Sequence, residues 1–245
     1  MKKLTALFGA AVGAIALLFS SAGCSDGGDF TEKSWQSEEA IEQIVVDVAD
    51  RALEIGASED GYVRIDYFDG EKEFLDISLS DGQLTVRLDY DKDWTDFIGT
   101  KPSAEYRKIS IKIPDGALLS LSAATTNEDI RVTSLSVAEN MTLDSNGGSV
   151  LCERVGVGRS IGMTAKNGNI TGSVLGGWDD FSISCKIKKG DSNLPEYKEG
   201  GTKSLSADCN NGDISIEFVQ CPVRSRPLRH IRPARQGDPP GRGFV

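Results

Sequence analysis

Three aspartates, Asp129, Asp191 and Asp213, follow turns of one type, and stacked carboxylates could hold calcium or share the acid and base work of glycoside cleavage. The equivalent positions between them hold Ser149 and Asn169, so the acids form no unbroken column. Short polar residues just after a turn also hydrogen-bond nearby backbone, and that structural role is the expected one here. The run Asp89-Tyr90-Asp91-Lys92-Asp93 opens like a calcium loop, but Trp94 stands where glycine is needed and Thr100 where a bidentate acid should be. The only histidine is His230, close to the C-terminus, which removes Ser-His-Asp, Cys-His and histidine-metal chemistry from the rest of the chain. Gly156-Val157-Gly158 is too short for a phosphate cradle and lies among strands. The five cysteines show no zinc spacing, and Trp35, Trp94 and Trp178 are too scattered to define a sugar platform. The expectation is a protein with no catalytic residue, no metal and no cofactor.

The elements that position these residues are repeats. Segments 121–130, 141–150, 161–170, 183–192 and 205–214 share alternating apolar residues, a turn of the Asn-Gly-Asp type and, in all but one, a β-branched residue. The turns begin at Asn127, Gly147, Asn167, Lys189 and Asn211, spaced 20, 20, 22 and 22 residues apart. Strand side chains alternate between faces, so the positions six, four and two before each turn share one face. They read Leu121, Met141, Ile161, Ile183 and Leu205; Ala123, Leu143, Met163, Cys185 and Ala207; and Thr125, Ser145, Ala165, Ile187 and Cys209. A fixed period near 20 predicts a coil that stacks on itself, with like positions about 4.8 Å apart. The turn is carried by Asn127, Asn167 and Asn211 and by Gly148, Gly168 and Gly212, glycine being expected there for positive φ. A β-sandwich of hairpins is the alternative, but its turns recur every 8 to 12 residues, about half the spacing seen. The fold expected is all-β: a parallel β-solenoid of 20–22 residues per rung over 116–218, after a further β region over 35–115.

Segments outside the repeats read differently. Lys2 and Lys3 precede an uncharged apolar run over 4–19, small residues and Cys24, the plan of a secretory signal. Ser21-Ala22-Gly23-Cys24 resembles the lipobox of bacterial lipoproteins, although Ser21 departs from the usual leucine. Residues 1–23 are then a signal peptide, Cys24 the lipid attachment site and 24–34 a polar tether; an uncleaved membrane anchor is the other reading. Within 35–55, Ile41, Ile44, Val45, Val48 and Leu53 fit helical spacing, whereas Ile44-Val45-Val46-Asp47-Val48 is β-rich. Residues 219–245 carry six Arg, no Lys, one acid and five of the eight prolines, a composition that cannot bury a core. That tail reads either as translation out of frame beyond Phe218 or as a basic arm for anionic polymers.

The formal charge is −10; with +2 in the signal and +5 in the tail, residues 24–218 hold −17. Such a body repels nucleic acid and anionic head groups and could attract a basic protein. Cys185 and Cys209 lie on different columns, about 8 Å apart if their copies are adjacent, too far for a disulfide, and read as small buried hydrophobes.

The repeated phrase, together with Ile109-Ser110-Ile111-Lys112-Ile113-Pro114-Asp115-Gly116, resembles the bacterial β-strand-repeat putative adhesin family over 44–218. The resemblance implies a parallel β-solenoid, a strand over 44–55 and a non-enzymatic surface role. The fourth copy departs from the pattern, with Lys189 for Asn and Ser192 for the β-branched residue. The partners expected are the membrane, through the N-terminal lipid, and a protein or glycan ligand, but not nucleic acid. Two roles stand: an adhesive or scaffolding envelope protein, and an envelope sensor or regulatory partner of a membrane protein. A polysaccharide-cleaving β-helix enzyme is the third.

Overall fold

The computed structural model describes residues 30–91 and 101–220. The segment read as a signal peptide, Cys24, Trp94 and the chain beyond Gln220 lie outside the described residues. The first nine strands are β1 (Thr31–Ser37), β2 (Gln43–Val48), β3 (Ala52–Ser58), β4 (Val63–Asp69), β5 (Glu73–Ser80), β6 (Gln83–Tyr90), β7 (Lys108–Pro114), β8 (Ser120–Thr125) and β9 (Ile130–Thr133). The rest are β10 (Ser136–Val137), β11 (Asn140–Ser145), β12 (Val150–Val157), β13 (Ser160–Ala165), β14 (Ile170–Leu175), β15 (Phe181–Lys189), β16 (Tyr197–Lys198), β17 (Lys203–Asn211) and β18 (Ile214–Val219). Two single-turn 3-10 helices, Ala104–Arg107 and Trp178–Asp180, are the only helical pieces among the described residues.

The strands form two sheets, one ordered β1-β4-β7-β3-β9-β12-β14-β18 and the other β16-β15-β17-β13-β11-β8-β2-β6-β5. The period predicts a purely parallel coil; both sheets are in fact mixed. The repeat strands pair in parallel, but β1 with β4, β4 with β7, β5 with β6 and β15 with β16 are antiparallel. These reversals fall at the two ends of the stack, where hairpins cover edges that more parallel rungs would leave open. β2 and β3 pair with β8 and β9, so the region before residue 116 shares both sheets with the repeats.

The ambiguity over 35–55 resolves to strand. β2 has a neighbour on each side, β6 and β8, and Ile44, Val46 and Val48 point inward at 1%, 1% and 3% exposure. Pairing on both flanks satisfies the backbone and buries every second residue, which outweighs the helical spacing. β1 begins at Thr31, within the segment read as a tether.

The columns read from the sequence are real. Leu121, Met141, Ile161 and Leu205 sit opposite one another in successive strands, as do Ala123, Leu143, Met163 and Ala207. All eight are buried. Their order is not that of the chain: β17, the fifth copy, pairs with the third copy on β13, and β15, the fourth copy, lies outside β17. The fourth copy therefore closes the stack instead of continuing it.

The glycine explanation also needs correcting. Only Gly190 and Gly212 of the turn column have positive φ. At Gly148, Gly168, Gly190 and Gly212 alike, a Cβ would overlap the backbone carbonyl of the neighbouring rung. Contact between rungs requires glycine at all four positions, and positive φ adds to that requirement only at Gly190 and Gly212.

Candidate binding cleft at the capped end

The turns consume their own polar groups. Asp129 Oδ1 accepts the Ser149 N–H at 2.7 Å, Ser149 Oγ that of Asn169 at 3.1 Å, and Asn169 Oδ1 that of Asp213 at 2.9 Å. Asp213 Oδ1 then accepts the Asp191 N–H at 2.8 Å. The acids that could have been a site are links in a ladder joining one turn to the next. A second series runs beside it. Thr125 Oγ1 donates to the Arg51 carbonyl at 2.7 Å, Ser145 Oγ to that of Glu128 at 2.9 Å, and Cys209 Sγ to that of Gly168 at 3.3 Å. Each small polar side chain two residues before a turn thus satisfies a carbonyl of the rung before. The asparagines do related work: Asn127 reaches Asp50, Asn167 the Asn146 carbonyl at 3.1 Å, and Asn211 the Asn167 side chain at 2.8 Å.

Cysteines here are structural. Cys152, Cys185 and Cys209 are free and buried. Cys185 faces Ala207 and Cys209 faces Ile187, the two-residue offset that rules out a bridge. Burial pushes the Cys152 thiol up to about 12, so it stays protonated and unreactive.

One buried charge pair is invisible in the sequence. Arg51, 2% exposed, reaches Glu73 Oε1 at 2.7 Å and donates to the Asp50 carbonyl at 3.2 Å. Arg51 looks like any surface arginine when read alone, and its partner comes from a hairpin 22 residues on. Beside it, partial burial opposes ionisation of Asp50, but hydrogen bonds from Lys101 and Asn127 outweigh it and hold the carboxyl below its usual range. Among the described residues, no group of three or more His, Cys, Asp or Glu is placed to hold a metal ion.

A cleft of about 770 Å³ opens at the other end, where β10 and β12 meet the break between β14 and β15. The break reads Gly176-Gly177-Trp178-Asp179-Asp180. Gly176, at φ 142°, packs where a Cβ would strike the Phe181 ring, and its N–H donates to the Val219 carbonyl at 2.9 Å. Asp180 Oδ2 accepts the Gly177 N–H at 2.7 Å and closes the small loop. Trp178 is held outward at 42% exposure. Phe218 meets it in a T-shaped contact with centroids 5.2 Å apart, and Lys198 Nζ lies 5.4 Å from its ring. Lys203 at the start of β17 and Gln220 just past β18 complete the wall. By spacing alone Trp178 is an isolated aromatic; the sequence does not show that β17 and the end of β18 come to meet it. The legible signal is local: glycines and acids around an aromatic, placed where the 20-residue period lengthens.

Fold and cleft together define, over the described residues, an all-β, solenoid-like repeat protein with antiparallel hairpins at its two ends. The chain belongs to the Toastrack DUF4097 family, which it matches over residues 41–222. No curated protein matches it. Among solved structures it resembles a putative cell adhesion protein from Clostridium sporogenes ATCC 15579, with 11% identity and a TM-score of 0.57, over 78% of this chain and 100% of that one. A putative adhesin from Bacteroides fragilis NCTC 9343 has 14% identity and a TM-score of 0.37, over 80% of this chain and 100% of that one. At these identities the first likeness speaks to the fold alone.

Proposed function

We propose that this is a non-catalytic, lipid-anchored protein of the cell envelope whose repeats, as a parallel β-solenoid, hold an adhesive or scaffolding surface away from the membrane. The observation that carries the reading is a separation. β1, which comes after the Cys24 segment, is one edge of its sheet, and β18, beside the cleft, is the opposite edge of the same eight-strand path. Seven strand spacings of about 4.8 Å put these edges about 34 Å apart. An anchor at one end and an open cleft at the other is the geometry of display. Asp129 and Asp213, whose carboxylates already accept backbone N–H groups, support a role without catalysis.

Cys24→Ser tests the anchor: the wild-type protein should sediment with membranes and partition into detergent, and the variant should be released. Equal release of both would end the lipid-anchor reading. Incubating the intact protein with its own and with foreign cells tests the surface role. Retention on foreign cells or glycans supports adhesion. The charge of −17 over residues 24–218 favours a second reading, contact with a basic patch on an envelope protein, and recovery of one such protein from its own cells would establish that instead.

A further inference from the structure

We propose that the cleft around Trp178 is a carbohydrate site for a neutral glycan chain, with a sugar ring stacked on the indole and its hydroxyls bonded by Asp179 and Gln220. This deepens the adhesive reading and rests on it.

Three features point to this chemistry. The indole is exposed but fixed: Phe218 and Lys198 hold it, and Asp180 closes the loop that carries it. An aromatic already held in place loses little freedom on binding, so the apolar face of a pyranose can dock there at low entropic cost. Polar groups beside it are available, in contrast to those of the turns. Asp179 is exposed and makes no hydrogen bond or ion pair among the described residues, whereas Asp129, Asn169 and Asp213 each accept a neighbouring rung's N–H. A carboxylate free to accept, in the same cleft lining as the Gln220 amide that both donates and accepts, supplies the donors and acceptors that sugar hydroxyls need. The volume, about 770 Å³, suits two or three sugar rings in an open channel.

Charge selects among glycans. At the cleft itself Asp179 and Asp180 are offset by Lys203 in the wall and Lys198 beside the ring, so the −17 of the whole body decides, disfavouring uronate-rich or sialylated chains and leaving neutral hexose and N-acetylhexosamine polymers.

Titration calorimetry of the full chain with chitotetraose, cellotetraose, tetragalacturonate and tetralysine tests the assignment. The expected result is saturable binding of at least one neutral tetrasaccharide, none of tetragalacturonate, and at least ten-fold weaker binding by Trp178→Ala. Asp179→Asn, at an exposed position, should keep the wild-type melting curve and bind at least three-fold more weakly, so it decides the matter if Trp178→Ala misfolds. Failure of both neutral probes, unchanged affinity in Asp179→Asn, or binding of tetralysine in their place overturns the proposal. Cell retention separates the two readings: undiminished retention of Asp179→Asn and Trp178→Ala with no sugar binding sinks the cleft and leaves adhesion standing, while no retention of wild type sinks both.

Discussion

The rungs built on β8, β11 and β13 and the later strands β15 and β17 use one sequence phrase to opposite ends. In the rungs, 20 residues return the chain to the same place, one strand spacing along, and each turn spends its polar side chains on its neighbour. After β14 the chain overshoots. β15 is laid down one position too far out, a loop returns, and β17 enters the gap between β13 and β15. Only then does β18 resume the first sheet, against β14. Like columns still stack, because the apolar spacing is the same in every copy. The two differ in the residues just past the turn. Ile214 continues into a strand, whereas Ser192 makes a single bridge to Ile214 and hands over to Asn193, whose side chain pairs with both backbone groups of Ile216. The departures in the fourth copy are the stop signal of the stack, and the side-chain amide covers an edge that would otherwise offer itself to another chain.

The strongest way to break this comparison is to charge the shared core. Met163 is 1% exposed, between Leu143 on one side and Ala207 on the other. Met163→Asp should cost about 3–5 kcal/mol, a large share of a domain's stability, and should remove cooperative thermal unfolding. An unchanged melt would contradict the burial of Met163 within its column. Next comes rung contact. Gly168→Ala drives a methyl into the Gly148 carbonyl and should lose about 1–3 kcal/mol in urea unfolding, whereas Gly162→Ala, with nothing within 4 Å of the added carbon, should stay within about 0.5 kcal/mol. Equal effects would show that glycine in the turn column serves something other than close approach.

The same contrast sets how far the sequence could be read. Columns such as Leu121, Met141 and Ile161 were legible because side-chain alternation and a constant period are local properties. The order of β15 and β17 was not, since both strands carry the same apolar pattern and either could rest on β13; only Lys189 and Ser192 hinted that one copy was different. The mixed character of the sheets escaped for a similar reason. A hairpin such as β5–β6 is visible in Asp81-Gly82, but nothing local says that its second strand will pair in parallel with β2. The cleft was least legible, because Trp178, Lys203 and Gln220 converge only once the excursion has folded back.

Two smaller effects sharpen the comparison at its ends. Asn193→Ala should cost about 1 kcal/mol, speed exchange of the Ile216 amide and promote dimers visible by size exclusion; a protein that stays monomeric with Ile216 still protected would show that the cap lies elsewhere. At the opposite end, the first turn is tied to the rung before it through Asp50, which receives Asn127 and Lys101, the latter at 2.8 Å. The folded protein holds this carboxyl below its ordinary value, so its contribution is present above the unfolded pKa of about 3.9 and is lost as pH falls through the lower, folded value. Stability should therefore decline with acid below about pH 5. Asp50→Asn tolerates the same left-handed backbone, φ 53°, and should flatten part of that slope without altering the fold. High salt should mimic it, since Asp50 and Lys101 are partly exposed and their attraction is screened. A slope unchanged by either would show that the Asp50 contacts do not carry the acid sensitivity.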